Sequence, residues 1–325
     1  MKAWVVERYG EPREVMQQAD VPVPQAGPGE IRIKVAAAGL GLPDVLLCRN
    51  TYAFSPPFPF TPGQEVSGVV TAAGEGATTR VGNRVMAVTA FYGGRGGFAA
   101  ETLALDQAAY SVPDDMSDPQ AAVFAIPFHT AYTGLVQRAK IKAGDVVLVH
   151  GGSGGTGSAA ILLARALGAT VIASAGGDEK VLKCRDLGAN FVIDHLNESF
   201  VDQVLAVTEG RGADIIYDPV GGSCFEESLN CVASEGRLLA IGFASGDWGQ
   251  ANTAKVLMKN CSVLGVFVGA YGPDVMQPAH QSLLDLHRAG KIHSVVDRVV
   301  SFEEIPAALT ELAARQVQGK LVATL

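Results

Sequence analysis

Between Val149 and Ser158 the chain reads His-Gly-Gly-Ser-Gly-Gly-Thr-Gly, and Gly152-Ser153-Gly154-Gly155-Thr156-Gly157 satisfies the spacing G-x-G-x-x-G. In that pattern the first glycine permits a tight turn and the second lets the backbone approach a pyrophosphate. The third lets the following helix pack closely on the preceding strand. Amide groups at the helix start, with the positive end of its dipole, then face the phosphates. The chemistry suggested is dinucleotide binding; a plain glycine turn is the alternative.

The elements needed to position such a turn are present. Val146–Val149 is a short apolar, β-branched run that reads as a buried strand. Ser158–Leu167, rich in alanine and apolar residues, suits a helix packed on a sheet, and Thr170–Ala173 reads as a second strand. Strand, turn, helix and strand make one crossover unit of about 30 residues. That setting decides for the dinucleotide site over the plain turn.

The end of the second strand bears on which dinucleotide. NAD sites usually carry an acid there, about 20 residues beyond the glycines, to hold the ribose 2′-hydroxyl. Here the strand ends Ala173-Ser174-Ala175-Gly176-Gly177, and the first carboxylate, Asp178, suits the cap of the next helix. No acid repels a 2′-phosphate, and Lys180 offers a positive partner or is a solvated helix lysine. NADPH is the expected cofactor.

With 325 residues, 48% hydrophobic residues and 38 glycines, the chain fits a turn-rich globular enzyme of two domains or one large α/β unit. A net charge of −8 argues against nucleic-acid or anionic-membrane partners, which need a basic field. Glu7 and Arg8 interrupt the first apolar stretch, so no signal peptide is expected, and no run reaches the length of a membrane-spanning helix. The five cysteines, Cys48, Cys184, Cys224, Cys231 and Cys261, are scattered and odd in number, which reads as reduced thiols in a cytoplasmic protein.

Residues 1–120 read as β-rich and poor in helix, with strands at Ile31–Ala36, Val66–Thr71 and Arg84–Val88 between Pro- and Gly-dense connections. A helical, alanine-rich segment begins at Pro119, and from residue 145 strands and helices alternate to Val266. Alternation of that kind means a parallel sheet with helices on both faces and a ligand crevice at the carboxyl ends of its strands. Turns near Gly151, Ser174, Pro219 and Gly242 are expected to line it. Further helices at Val275–Ala289 and Glu303–Ala314 and strands at Val295–Val300 and Lys320–Thr324 follow.

Several segments together carry a family resemblance: MKAWVVERYGEP at the start, PPFPFTPGQEVSGVV at 56–70, AIPFHTAYTGL at 125–135, VLVHGGSGGTG at 147–157 and YDPVGGSCFEESLNCVASEGRLLAIGFASG at 217–246. In order and spacing the chain resembles the zinc-independent medium-chain dehydrogenase/reductases of the quinone oxidoreductase (zeta-crystallin-like) group. The resemblance implies an α/β protein, with a Rossmann doubly wound parallel sheet plus a β-rich GroES-like domain. The GroES-like substrate domain would be residues 1–122 completed by 267–325, and the NADPH-binding domain 123–266. It implies a homodimer joined near Ser262–Val266 and reduction of quinones or other activated double bonds. Zinc-dependent relatives carry a Cys ligand in the segment here reading AAGLGLPD and a G-H-E sequence where this chain has Gly63-Gln64-Glu65; neither ligand is present. Without zinc the acceptor must already be electrophilic, as quinones and α,β-unsaturated carbonyls are.

Residue by residue, the resemblance places Gly152, Ser153, Gly154, Gly155 and Thr156 on the pyrophosphate and Thr130 facing the cofactor. Ser174, Lys180 and His195 would surround the 2′-phosphate, with His195 where relatives often carry tyrosine. Lys320 would add charge, or is a surface lysine. Val220, Gly242, Phe243, Phe267 and Val268 would line the nucleotide crevice. Tyr52 is the candidate to orient a quinone oxygen or donate a proton, with a core or lid role as the alternative. Gly41 stands where the family usually has Asn, and Asp44 suits structural hydrogen bonds. Tyr92, Phe128 and Tyr271 are candidate pocket walls or ordinary core, and His129 suits packing better than acid catalysis. The competing activities are an enoyl-thioester reductase and a non-catalytic NADPH-binding protein.

Overall fold

The structure, a computed structural model, describes residues 1–325. The chain opens with β1 (Lys2–Val6), α1 (Pro12–Val15), β2 (Met16–Asp20), β3 (Glu30–Leu40) and α2 (Leu42–Arg49). It continues through β4 (Glu65–Ala73), β5 (Arg84–Thr89), β6 (Glu101–Ser111), α3 (Asp118–Ala121) and α4 (Ala125–Tyr132). Strict alternation follows: β7 (Val146–Val149), α5 (Gly155–Ala166), β8 (Thr170–Ala175), α6 (Asp178–Asp186), β9 (Phe191–Asp194), α7 (Phe200–Val207), β10 (Ala213–Asp218), α8 (Gly222–Cys231), β11 (Val232–Ala240), α9 (Thr253–Lys259) and β12 (Ser262–Gly265). The last elements are α10 (Pro273–Arg288), β13 (Val296–Ser301), α11 (Ile305–Ala313) and β14 (Lys320–Thr324).

Two compact units result, Met1–Ile126 with Ser294–Leu325, and Pro127–His293. Residues 267–293, expected with the first unit, group with the second. The reason lies in α10, whose Met276, Ala279, His280, Leu283 and Leu284 are buried. His280 Nδ1 is 2.9 Å from His129 Nε2 on α4, inside the same unit.

In the first unit β3 alternates: Ile31, Ile33 and Val35 are buried while Lys34 is exposed, the period of a half-buried strand. Its first half pairs antiparallel with β6 and its second half with β14, and β4 and β5 complete the circuit. Closing β3–β4–β5–β6 back onto β3 leaves that part of the sheet without an open edge. Strands β1, β2 and β6 and helix α2 went unrecognised in the sequence. On β2 only Met16 of five residues is buried, so it shows no alternation.

In the second unit six strands run parallel in the order β12-β11-β10-β7-β8-β9. Nearly all of β7, β8 and β10 is buried, which explains their continuous apolar runs. The strand order reverses between β7 and β10, the place where open α/β sheets bind ligands. Phe200 and Val204 of α7 and Phe225 and Leu229 of α8 pack with Leu148, Ile216 and Leu238 of the sheet in one core. No helix is long and apolar enough to cross a membrane.

Candidate functional site

The glycine turn leaves β7 at the switch point. Gly154 is the N-cap of α5 and brings no side chain to the cap. The amides of Gly155, Thr156 and Gly157, in the first turn, therefore have neither an intrahelical acceptor nor a capping group. A Cβ on Gly157 would lie 2.2 Å from the carbonyl oxygen of Gly151, so only glycine lets the turn fold back against the helix. A Cβ on Gly151 would sit 3.6 Å from Val220 Cγ2, which puts the turn after β10 against the glycine turn. This arrangement fits a dinucleotide pyrophosphate: donors without acceptors at a helix start, and no side chain in the way.

His150 stands directly beneath. Its Nδ1 is 2.8 Å from Ser174 Oγ and its Nε2 3.0 Å from Ser228 Oγ, which in turn donates to the Cys224 carbonyl. Burial pushes its pKa down to about 3, with the charge of His195 adding to the shift, so the ring is neutral. The chain of bonds ties the end of β7 to the end of β8 and to α8. The Ser174 side chain, expected beside a 2′-phosphate, is buried and engaged with His150. His150 is not legible in the sequence, because a histidine before a glycine turn has no distinguishing spacing.

Around the end of β8, the exposed His195 lies over Gly176: a Cβ there would be 2.9 Å from its Cε1. Lys180 is half-buried in the first turn of α6. Asp194 accepts the amides of Gly177 and Leu196, which hold its carboxyl below the usual range. Beyond β10, Asp218 accepts the amides of Val220 and Gly221. Burial raises its pKa to about 6 against those amides. Gly242 packs against this turn, its Cβ position 3.2 Å from the Pro219 carbonyl oxygen, and Phe243 stacks on Trp248 with centroids 4.1 Å apart. Phe267 is exposed, Val268 begins a single 3-10 turn that Tyr271 ends, Thr130 is half-buried on α4, and Phe128 is fully buried. A cavity of about 430 Å³ at the edge of the sheet is lined by Ile172, Arg185, Phe191 and Val207 among others. None of its lining residues belongs to the glycine turn.

A second constellation lies wholly in the first unit. Asp44 on α2 is completely buried and accepts the amides of Gly41 at 2.8 Å and Gly63 at 2.9 Å, so one carboxylate ties two loops together. Burial pushes its pKa up to about 7, against those two amides and the Lys320 charge. Gly63 has φ +108°, and a Cβ there would meet the Gly97 and Phe98 amide nitrogens at 2.7 Å; the loop carrying Gln64 is fixed by that close approach. Glu65, at the start of β4, is buried; its Oε2 accepts the Ile126 amide, and the Lys320 ammonium comes within 2.7 Å of Oε1. The Lys320 contact is a charge pair off the hydrogen-bonding direction. The surface-lysine alternative for Lys320 is thereby corrected: its side chain is 13% exposed and paired with Glu65.

Tyr52 is half-buried beside Gln64, and burial raises its phenol pKa, the Gln64 amide partly opposing. The ring meets Phe54 edge-on at 5.1 Å, and Phe54 stacks on the half-exposed Tyr92 at 4.4 Å. The structure thus brings Gly41, Tyr52, Tyr92 and Lys320 into one unit, and adds Phe54, Gln64 and Glu65, which sequence reasoning missed as site residues. Phe128 and Tyr271, expected as pocket walls, belong to the other unit. No three His, Cys, Asp or Glu side chains converge in a metal-binding arrangement.

Residues 27–114 match the model of the alcohol dehydrogenase GroES-like domain, and residues 155–285 match the zinc-binding dehydrogenase model. The chain is 34% identical over 303 residues to a quinone oxidoreductase-like protein 2 homolog of Nematostella vectensis, covering 91% of this chain and 82% of that one. To the quinone oxidoreductase of Sus scrofa it is 30% identical over 324 residues, covering 99% and 97%. A mycobacterial protein solved in complex with NADPH superposes with a TM-score of 0.93 at 29% identity, covering 100% of both chains.

Proposed function

The chain belongs to the quinone oxidoreductase group of the medium-chain dehydrogenase/reductase family, and from that premise we propose that it is an NADPH-dependent reductase of quinones or small α,β-unsaturated carbonyls, working without zinc. The observation that carries the reading is the start of α5, where three amides lack acceptors and Gly157 admits no side chain. NADPH, when bound, supplies the hydride. The turn Gly152–Thr156 holds its pyrophosphate, and Lys180 and His195 attend the 2′-phosphate at a strand end with no acid of its own, the Asp194 carboxylate of neighbouring β9 being taken by the Gly177 and Leu196 amides. Thr130, Val220, Gly242, Phe243, Phe267 and Val268 supply the remaining cofactor contacts.

In the first unit Asp44 fixes the Gly41 and Gly63 loops, and the Tyr52, Phe54 and Tyr92 rings offer flat apolar contact for a conjugated acceptor. The segment in which zinc-dependent relatives carry a Cys ligand reads AAGLGLPD here, and their His is matched by Gln64, so neither zinc ligand is present. A conjugated acceptor needs positioning and stabilisation of charge on oxygen more than a Lewis acid.

The working form is a homodimer joined along β12: this strand ends the sheet with one side unpaired, and Leu257 and Met258 of the adjacent α9 are 72% and 78% exposed. The acidic charge fits a small-molecule acceptor better than a nucleic acid or membrane. Oxidation of NADPH by a benzoquinone, a naphthoquinone, a simple enone and a short enoyl-CoA tests the reading. Turnover of quinone or enone supports it, and turnover of the thioester alone replaces it.

A further inference from the structure

We propose that the side-chain amide of Gln64 is the hydrogen-bond donor to the acceptor's carbonyl oxygen, and that Gly41, Tyr52, Gln64 and Lys320 together form an oxygen-binding subsite in the first unit. The inference rests on the reductase reading and adds the atom that recognises the substrate. Gln64 is 7% exposed, and its Nε2 meets no acceptor in full hydrogen-bonding geometry, although its amide acts on the nearby Tyr52 oxygen. Buried donors are almost always paired, because an unpaired one forfeits its hydration for nothing in return.

Nearby polar groups are engaged elsewhere. The Asp44 carboxylate takes the Gly41 and Gly63 amides, the Thr89 hydroxyl donates to the Gly63 carbonyl, Glu65 Oε2 takes the Ile126 amide, and Glu65 Oε1 faces the Lys320 ammonium as a charge pair. Backbone pinning at Gly63 keeps the Gln64 loop where it is.

What surrounds the amide selects the ligand. The Tyr52 hydroxyl is close enough to Gln64 for the two to influence each other. A Cβ on Gly41 would lie 3.3 Å from Pro43 Cδ and 3.5 Å from both Asp44 Oδ2 and Lys320 Nζ, and glycine leaves that position without a side chain. With Asp44 held by the Gly41 and Gly63 amides and Lys320 by Glu65, the two neutral donors beside stacked aromatic rings suit an oxygen that only accepts hydrogen bonds, carried on a flat conjugated skeleton. When the acceptor takes hydride at carbon, the displaced π pair moves through the conjugation onto that oxygen. A solvent proton completes the product and the cofactor leaves oxidised. A donor fixed in advance at the oxygen strengthens as this charge develops.

The test uses Gln64→Met, equal in length and without the amide, with 4-nitrophenol as probe, since its phenolate carries the expected charge on one ring oxygen and absorbs distinctly. Wild type in the presence of NADP⁺ is expected to bind the phenolate and lower the probe's apparent pKa. Q64M is expected to weaken phenolate binding and acceptor turnover together by ~10- to ~100-fold, the range for a charge-assisted donor. NADPH affinity should be unchanged and the thermal midpoint equal or higher, because an unsatisfied donor has been removed. Phenolate binding and turnover in Q64M matching wild type, or no phenolate binding by wild type, overturns the subsite. Wild type that binds phenolate through Gln64 yet reduces no acceptor keeps the subsite and sinks the reductase reading. Turnover that Q64M leaves intact does the opposite.

Discussion

Lys320→Met separates two roles for this lysine. In the structure its ammonium faces Glu65, which is 2% exposed, and the lysine side chain itself is only 13% exposed. Removing the cation leaves a carboxylate buried with one remaining partner, the Ile126 amide. Breaking a buried pair from one side costs about 3–5 kcal/mol, whereas neutralising both sides costs far less. Lys320→Met is therefore expected to destabilise the first unit by about 3–5 kcal/mol, and the further change Glu65→Gln to recover about 2 kcal/mol of it. The two tryptophans allow a clean assay, because Trp4 lies in the first unit, its Nε1 donating to the Phe302 carbonyl, and Trp248 in the second. In a Trp248→Phe background, urea unfolding followed by Trp4 fluorescence reports the first unit. A loss under about 1 kcal/mol, together with a large drop in NADPH affinity, would refute the ion-pair argument and return Lys320 to the cofactor phosphate.

Gly157→Ala should abolish NADPH binding by calorimetry, since the new methyl meets backbone at 2.2 Å and must push the turn outward; undiminished affinity would mean the turn holds no pyrophosphate. His150→Leu should cost about 1–3 kcal/mol at pH 7 by stranding Ser174. Its effect should shrink by about 2 kcal/mol at pH 5. The sign follows from a folded pKa of about 3 against 6.5 unfolded: the unfolded chain takes the proton first, so the wild-type advantage, complete above pH 6.5, is lost as the pH falls toward 3. Urea unfolding at both pH values checks this, and a constant difference would contradict it. Val263→Glu on the open edge of β12 should shift sedimentation toward monomer, and an unchanged dimer would place the interface elsewhere.

Much of the second unit was legible because its strands are buried on both faces and its glycines have one physical use. VVLV and GGSGGTG read directly as strand and turn, and the carboxylate-free end of β8 carries the proposal of NADPH. Less was legible where function depends on partners distant in sequence. Nothing about Lys320 announces Glu65, 255 residues earlier (320 less 65), because only the pairing of β14 with β3 and of β3 with β4 brings their starts together. The inward turn of Ser174 depends on His150 and Ser228 in the same way. Gln64 was noticed as a missing zinc ligand, while its use as a donor shows only when its burial and lack of an acceptor in full geometry are seen. That residues 267–293 group with the second unit shows only through the buried face of α10, whose His280 meets a histidine 151 residues away.

The most direct measurement is the loss of reduced-nicotinamide absorbance with NADPH and NADH in parallel, against a naphthoquinone and a simple enone. The expected result is turnover of at least one acceptor, faster with NADPH than with NADH. Preference for NADH would contradict the reading of the β8 terminus, and tight NADPH binding with no acceptor reduced would contradict the assignment as a reductase.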